Sequence, residues 1–139
     1  VKIEQSNISR LPHKTVATRA GLGWIGKNCL LVTPQYGAAI RISSFLTNAP
    51  LECNDPINQS RCGYCNLCVK KCPAQALKGT LWEVGIQREE IVDINKCYKK
   101  QVEIMLQKTG IETDLCGRCF AVCVYTQKYL KSIAADFKD

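Results

Sequence analysis

Cysteines in two closely spaced runs constrain the fold of this chain more than any other feature. The chain has 139 residues and ten cysteines, and eight of the ten lie in or beside these runs. The first run reads Cys62-x2-Cys65-x2-Cys68-x3-Cys72-Pro73; the second reads Cys116-x2-Cys119-x3-Cys123, with Cys97 upstream. The first spacing is the one by which bacterial two-cluster ferredoxins supply three thiolates to one [4Fe–4S] cluster and a fourth to its neighbour. The sequence therefore predicts two [4Fe–4S] clusters.

The spacing also predicts how the thiolates are shared. A tight loop brings the first three cysteines around one cluster, whereas the fourth is carried to the other cluster, so the second run must return one cysteine to the first. We expect cluster 1 to be held by Cys62, Cys65, Cys68 and Cys123, and cluster 2 by Cys72, Cys97, Cys116 and Cys119. Of the two remaining cysteines, Cys29 is expected to be a buried, inert hydrophobic residue and Cys53 to be exposed and oxidisable, with no cluster role.

Two other kinds of site compete with this interpretation. The cysteine content approaches that of disulfide-stapled secreted domains, but no apolar signal segment opens the sequence and C-x2-C-x2-C-x3-C-P is not a disulfide spacing. A zinc ribbon built from Cys62, Cys65, Cys116 and Cys119 is geometrically possible. It would leave the other four cysteines of the two runs without a role, so the cluster interpretation is preferred.

The charge balance bears on partners and on the cellular compartment. Nineteen Lys and Arg against twelve Asp and Glu give +7, and two oxidised clusters with their thiolates contribute about −2 each, which leaves about +3. That remainder fits an acidic electron donor, RNA phosphates or simply a solvated lysine-rich surface. Free-thiol chemistry of this kind predicts a reducing, cytoplasmic location. The sequence contains no run of 18 apolar residues, so no membrane span is predicted.

The periodicity predicts an α+β protein with two parts. Residues 1–52 are expected to form a small helix and β-hairpin lobe, the remnant of a larger cofactor or substrate domain, and residues 53–139 a ferredoxin-like two-cluster domain. Because the sequence begins with Val1, the chain is expected to be a fragment. The predicted elements are a helix over 12–20, antiparallel strands over 29–33 and 39–47, a helix over 74–77 after Pro73, an extended segment over 88–94, a helix over 98–109 ended by Gly110, and a helical tail over 119–137.

The segment before the first strand contains the pattern G-x-G-x-x-G over residues 21–26. A dinucleotide-binding role is rejected because that fingerprint follows a strand and opens a helix, whereas here a predicted helix precedes it and a strand follows. Within this segment Trp24 is expected in the core rather than stacked on a base. Lys27 is expected to be solvated, with a cofactor phosphate as the alternative, and His13, the one histidine, to pack or face solvent rather than to act as an acid or a metal ligand.

The order of these features resembles the C-terminal half of the epoxyqueuosine reductase family. The resemblance comprises Ala-Gly-Leu-Gly-Trp-Ile-Gly-Lys-Asn over residues 20–28, then a hairpin, the ferredoxin-like run, an isolated cysteine and a final C-x2-C-x3-C. It extends from about His13 to Gln127. The cluster motif is common to many proteins, so residues 20–28 make the resemblance specific.

The resemblance implies more than the residues themselves predict. Members of this family pair two [4Fe–4S] clusters with cobalamin, as the related reductive dehalogenases do, and reduce an epoxide on a modified tRNA nucleoside. It implies a cobalamin contact at Cys116 and Gly117, an electron donor such as ferredoxin or flavodoxin, and a tRNA partner. Gly117 is equally explained by a tight cluster loop.

One feature of the family is not found in this chain. Its aspartate proton donor belongs upstream of residue 20, but the first aspartate here is Asp55, and Asn7 or His13 lies nearest the place. No catalytic residue is therefore predicted. A stand-alone electron carrier or cluster-binding module without its own substrate is the alternative function.

Overall fold

A computed structural model describes residues 11–136 of the chain, and the side chains of residues 11–135. Six helices and one two-stranded sheet lie within that part of the chain, so its fold is of mixed α and β type. In chain order these elements are α1 His13–Arg19, β1 Trp24–Ile25, β2 Leu31–Val32, α2 Leu67–Lys70, α3 Arg88–Ile91, α4 Ile94–Thr109, α5 Arg118–Ala121 and α6 Val124–Asp136.

Helix α1 confirms the helix predicted at residues 12–20. Pro12 precedes its first turn, where no backbone donor is needed, and Gly21 follows it with a φ of 70°. Ala17 and Thr18 are the buried residues of α1. The carbonyl of Thr18 accepts a hydrogen bond from the backbone nitrogen of Ile57 at 2.9 Å, which ties α1 to the segment before the first cysteine run.

The sheet differs from the predicted hairpin. Strand β2 lies inside the predicted strand 29–33, but its antiparallel partner is β1, with Trp24 opposite Val32 and Ile25 opposite Leu31. Residues 39–47 form no strand in the described chain, so that prediction is wrong. After the bridge between Thr33 and Gly37 the chain turns toward α6, and the backbone nitrogen of Ala38 donates to Thr126 Oγ1 at 3.0 Å.

Two predictions for the segment between the cysteine runs are also wrong. Residues 74–77 form no helix: Ala74 ends a turn, Leu77 is a bridge residue, and Gln75 between them has a φ of 49°. The predicted extended segment 88–94 begins with the short helix α3, because the backbone nitrogen of Gln87 donates to Glu90 Oε2 at 2.7 Å and closes the first turn. Beyond α3, Val92 forms a bridge with Leu77.

The predicted helix over 98–109 is confirmed as α4, which begins four residues earlier. Asp93 caps it by accepting a hydrogen bond from the Lys96 nitrogen at 3.0 Å, and Gly110 ends it with a φ of 71°. Its apolar residues at helical spacing do not form a core face. Val102 and Met105 are half-buried, and Leu106 is exposed.

The helical tail is interrupted at Val122 and Cys123, which divide it into α5 and α6. One face of this tail is half-buried and consists of Val122, Tyr125, Tyr129 and Ile133. Tyr125 meets the ring of Trp24 edge-on, with centroids 5.0 Å apart. Phe137, the predicted end of the tail, lies outside the described residues.

Residues from both predicted parts of the chain share the core. One cluster of buried residues joins α1 and the sheet to the residues around the first cysteine run: Ala17, Ile25, Cys29, Leu31, Cys68, Ala76, Leu77, Ile91 and Val92. A second, smaller cluster surrounds Trp24, Val32 and Ala38. A division of the chain at residue 52 stays a prediction. Among the described residues, no helix combines the length and apolar character that a membrane crossing requires.

Candidate iron–sulfur site

The first cysteine loop, residues 62–68, is shaped by local turns. The backbone nitrogen of Cys65 donates to the carbonyl of Cys62 at 3.1 Å, and Gly63 between them has a φ of 51°. Helix α2 begins at Leu67, so Cys68 lies in its first turn and is buried. The loop thus presents Cys62, Cys65 and Cys68 to one side, with the first two half-buried.

Four thiols line a single cavity beside this loop. They belong to Cys62, Cys65, Cys68 and, from the junction of α5 and α6, Cys123. The remaining wall is formed by Lys27, Asn28, Val32, Leu67, Val124 and Tyr125. The structure thus brings together the four cysteines predicted to hold cluster 1, although the last is 55 residues from the third in the sequence.

The other four cysteines of the runs form a second group. Burial, and then the neighbouring thiols of Cys72 and Cys116, raise the pKa of Cys97. Two of these sulfur atoms also accept hydrogen bonds. Cys97 Sγ accepts from Gln101 Nε2 at 3.3 Å, and Cys72 Sγ accepts from the Ala76 nitrogen at 3.4 Å.

The two groups lie next to each other. Burial is the main cause that raises the pKa of Cys119 to about 12, and the thiols of Cys97, Cys68 and Cys72 add to it in that order. Cys68 belongs to the first group and Cys119 to the second, and α2 packs against α5.

The raised pKa of Cys68 has a clear physical cause. Burial raises the pKa of Cys68 to about 11, and the neighbouring thiols of Cys62, Cys65 and Cys123 act in the same direction. Without a positive centre, burial and the neighbouring thiols keep Cys68 as a neutral thiol. A bound cluster would supply that centre, and its thiolate ligands would have lost their protons.

The donor set fits iron–sulfur clusters. All ten cysteines are free thiols, and thiolate sulfur is the ligand such clusters require. Within residues 11–136 no three His, Cys, Asp or Glu side chains are arranged around one metal ion. In a [4Fe–4S] cluster each iron takes one protein thiolate, so the four thiolates surround a cube instead of meeting at one point.

Lys27 and Asn28 connect the two cysteine runs, a role that the sequence did not predict. Lys27 was expected to be solvated, but it is buried, and Nζ donates to the Gly63 carbonyl and to Asn66 Oδ1, both at 2.9 Å. Asn28 Nδ2 donates to the Cys119 carbonyl at 3.5 Å. The sequence does contain one signal for the burial of Lys27, because it is the one charged residue between Leu22 and Val32.

The cysteines outside the two groups lie as predicted. Cys29 is buried with a φ of 59°, and its carbonyl accepts from Lys14 Nζ at 2.7 Å. Cys53 is exposed.

Trp24 and His13 also have the expected surroundings. Trp24 is fully buried in the core, under the guanidinium of Arg61 at 5.6 Å. His13 is exposed, with Nδ1 2.9 Å from Ser44 Oγ.

The residues singled out for cobalamin and for proton donation are less constrained by the structure. Gly117 precedes α5 with a φ of 68°, and a Cβ atom there would meet open space. The left-handed backbone alone therefore explains this glycine. Cys116 beside it is half-buried, and Asn7 lies outside the described residues.

Comparison with known proteins identifies this arrangement. Residues 61–126 match the 4Fe-4S double cluster binding domain family. An epoxyqueuosine reductase from Synechocystis is 33% identical over 139 aligned positions that cover 91% of this chain and 44% of the relative. The chain is an epoxyqueuosine reductase-like iron–sulfur protein.

Further relatives support this likeness over shorter or more distant matches. The Listeria monocytogenes epoxyqueuosine reductase is 50% identical over 69 residues, 50% of this chain and 18% of the relative. A crystal structure of epoxyqueuosine reductase with a tRNA-Tyr epoxyqueuosine-modified tRNA stem loop matches with a TM-score of 0.59 and 27% identity, and covers 86% of this chain and 31% of that one.

The epoxyqueuosine reductase-like chain spans less than half the length of these relatives. The double-cluster domain, the shared sequence and the shared fold support an iron–sulfur electron-transfer role.

Proposed function

We propose that this chain supplies electrons through two [4Fe–4S] clusters to a cobalamin-type reductase centre, as part of a protein that resembles epoxyqueuosine reductase. The observation that carries the proposal is the pair of adjacent four-thiol groups, which meet at Cys68 and Cys119. When bound, the clusters supply one-electron transfer, because iron–sulfur clusters change oxidation state without leaving their thiolates.

The proposed ligands follow the crossed pattern. Cluster 1 takes Cys62, Cys65, Cys68 and Cys123, and cluster 2 takes Cys72, Cys97, Cys116 and Cys119. The cavity shared by the first four and the mutual effects among the second four support this division.

The surrounding side chains keep water away from the first group. Val32, Leu67 and Tyr125 form apolar parts of the cavity wall. A drier site has a lower local dielectric, which strengthens every charge interaction within it and so alters the reduction potential.

The remaining parts of the proposal rest on the relatives. We assign a cobalamin contact to Cys116 and Gly117 in the whole protein, beside the open space that Gly117 leaves. A tRNA substrate is supported by the solved relative bound to a tRNA stem loop. The electron donor is a small carrier such as ferredoxin or flavodoxin.

The proposed location is the cytoplasm, because ten free thiols and oxygen-sensitive clusters need a reducing compartment. The proposed organisation is a helix and hairpin lobe over 1–52, the remnant of a larger domain, and a two-cluster domain over 53–139.

The cluster proposal is tested by iron and acid-labile sulfide analysis of protein purified without oxygen. We expect about eight of each per chain, with electron paramagnetic resonance (EPR) signals from two clusters after reduction. A colourless preparation that remains folded after exhaustive chelation would contradict the proposal.

The cobalamin proposal needs the full-length protein. After incubation with cobalamin, we expect a corrin absorbance spectrum to co-elute with the protein on size-exclusion chromatography. If both clusters are present and no corrin co-elutes, the chain belongs to a stand-alone electron carrier instead.

A further inference from the structure

Lys27 is a buried cation in a chain whose other described lysines are half-buried or exposed. Its residue exposure is 5%, and Nζ lies 2.9 Å from each of two acceptors in the first cysteine loop. A lysine seldom lies this deep unless its charge is balanced. Neither acceptor, the Gly63 carbonyl or the Asn66 amide oxygen, carries a negative charge, so these two hydrogen bonds only partly compensate its burial.

A balancing charge would be available in the cavity that Lys27 lines if that cavity held a cluster. Lys27 lines the same cavity as Cys62, Cys65, Cys68 and Cys123. Four thiolates around an oxidised [4Fe–4S] cluster carry about −2 in total, and one electron more makes the site about −3. A buried ammonium beside this cavity is therefore matched by the charge of the bound cluster.

An adjacent cation affects the two oxidation states unequally. The added electron increases the negative charge near Lys27, and the attraction is only weakly screened because the site is buried. Lys27 thus stabilises the reduced cluster more than the oxidised one. The two hydrogen bonds hold Lys27 and the loop in fixed positions, so this contribution does not depend on a mobile surface charge.

We propose that Lys27 is a positioning residue that raises the reduction potential of cluster 1 relative to a neutral side chain at this position. The inference rests on the proposed function, because it requires that the four thiols of the cavity share a cluster. Its consequence is directional. Raising the potential of one of two adjacent clusters favours movement of an electron toward that cluster.

The test separates the charge of Lys27 from its hydrogen bonds. Lys27→Gln keeps a side-chain donor and removes the charge, whereas Lys27→Arg keeps both. Lys70→Gln removes a charge from an exposed lysine two residues after Cys68 and serves as the matched control. Potentials are measured by EPR-monitored redox titration of the anaerobic protein, and Cys123→Ser identifies the signal of cluster 1.

We expect Lys27→Gln to shift the potential of cluster 1 in the negative direction and to leave cluster 2 nearly unchanged. Lys27→Arg should restore most of the native value, and Lys70→Gln should produce a much smaller shift. Equal cluster 1 potentials in the native protein and Lys27→Gln, with iron content intact, would overturn the inference and leave the proposed function standing. Native protein without two clusters would instead contradict the proposed function.

A second variant covers the case in which Lys27→Gln no longer holds cluster 1. Asn66→Asp keeps the acceptor for Lys27 and places a negative charge against its ammonium, so it offsets the cation without removing the side chain. We expect the potential of cluster 1 to fall in this variant as well. An unchanged potential in Asn66→Asp would contradict the role of the Lys27 charge.

Discussion

Cys72 and Cys123 are the residues at which the crossed ligand pattern is most directly tested. Each is the last cysteine of its own run. Cys123 nevertheless lines the cavity of the first loop, and the Cys72 thiol contributes to the raised pKa of Cys97 and of Cys119. We expect Cys123→Ser to damage cluster 1 and Cys72→Ser to damage cluster 2, because serine is a poorer iron ligand of similar size. Mössbauer and EPR spectra of the two variants are the measurement. Loss of the same cluster in both variants would contradict the pattern.

Cys53 provides the matched control for those two variants. It is exposed, and its Sγ lies 3.8 Å from the Leu51 carbonyl. Because Cys53 contributes to neither thiol group, we expect Cys53→Ser to keep about eight iron atoms per chain. A loss of about four, measured by iron analysis, would show that Cys53 is one of the eight ligands.

A hydrogen bond to Thr126 attaches α6 to the residues that follow the sheet. Thr126 is fully buried, and its hydroxyl oxygen accepts a hydrogen bond from the Ala38 nitrogen at 3.0 Å. Thr126→Val keeps the shape but leaves that nitrogen unpaired, which should lower the free energy of unfolding by about 1–3 kcal/mol. Chemical denaturation of the cluster-loaded protein measures this change. Thr109→Val, at an exposed hydroxyl, should cost much less; equal effects would contradict the role of burial.

At the scale of elements, Gly37 sets how closely the loop after β2 approaches α6. Its φ is 58°, and a Cβ atom there would overlap the backbone nitrogen of Thr126. Gly37→Ala should therefore cost about 2–4 kcal/mol, the sum of left-handed backbone strain and overpacking. Thermal unfolding followed by circular dichroism measures the loss.

Gly110→Ala is the control for backbone strain alone. Gly110 has a similar φ of 71°, but a Cβ atom there meets open space. We expect a cost of about 1 kcal/mol. If both glycine variants lose the same stability, contact with α6 does not limit the residue at position 37.

The elements predicted correctly are those with local signals. Helix α4 has an acidic cap at Asp93 and a left-handed glycine at its end, and α1 has Pro12 before it and Gly21 after it. Residues 39–47 have the composition of a strand, but the contact of Gly37 with α6 draws the chain away from the sheet. Such a contact spans almost ninety residues, and composition does not encode it.

For the whole molecule, the size of the core predicts dependence on the clusters. Twelve hydrophobic residues are buried in the described chain, and Cys68 is one of them. A core this small supplies limited stability, whereas cluster ligation adds binding free energy to folding. Removal of the clusters by chelation should therefore lower the melting temperature and reduce amide protection, most strongly from about residue 53 onward.

Hydrogen exchange with and without clusters measures this effect by segment. Reconstitution with iron and sulfide should restore the native pattern, which controls for irreversible damage. Identical exchange and melting in the two forms would show that the fold does not need its clusters.

The candidate site was predictable from the sequence only in part. Cysteine spacing indicates which thiols belong together, because a short loop determines where neighbouring ligands can reach. The burial of Lys27 was not predictable, since its partners Gly63 and Asn66 lie 36 and 39 residues away. The hydrogen bond from Asn28 to the Cys119 carbonyl likewise joins residues that are 91 positions apart in the sequence.

The contacts of Lys27 and Asn28 with the two cysteine runs also bear on protein engineering. A designer who transplants only the cysteine-bearing stretch into a foreign scaffold would transfer every iron ligand. The hybrid would nevertheless lack Lys27 and Asn28, the two residues between β1 and β2 that contact one run each. It would lose a buried cation and a support shared by the two runs, so the smallest transferable unit includes the residues between β1 and β2.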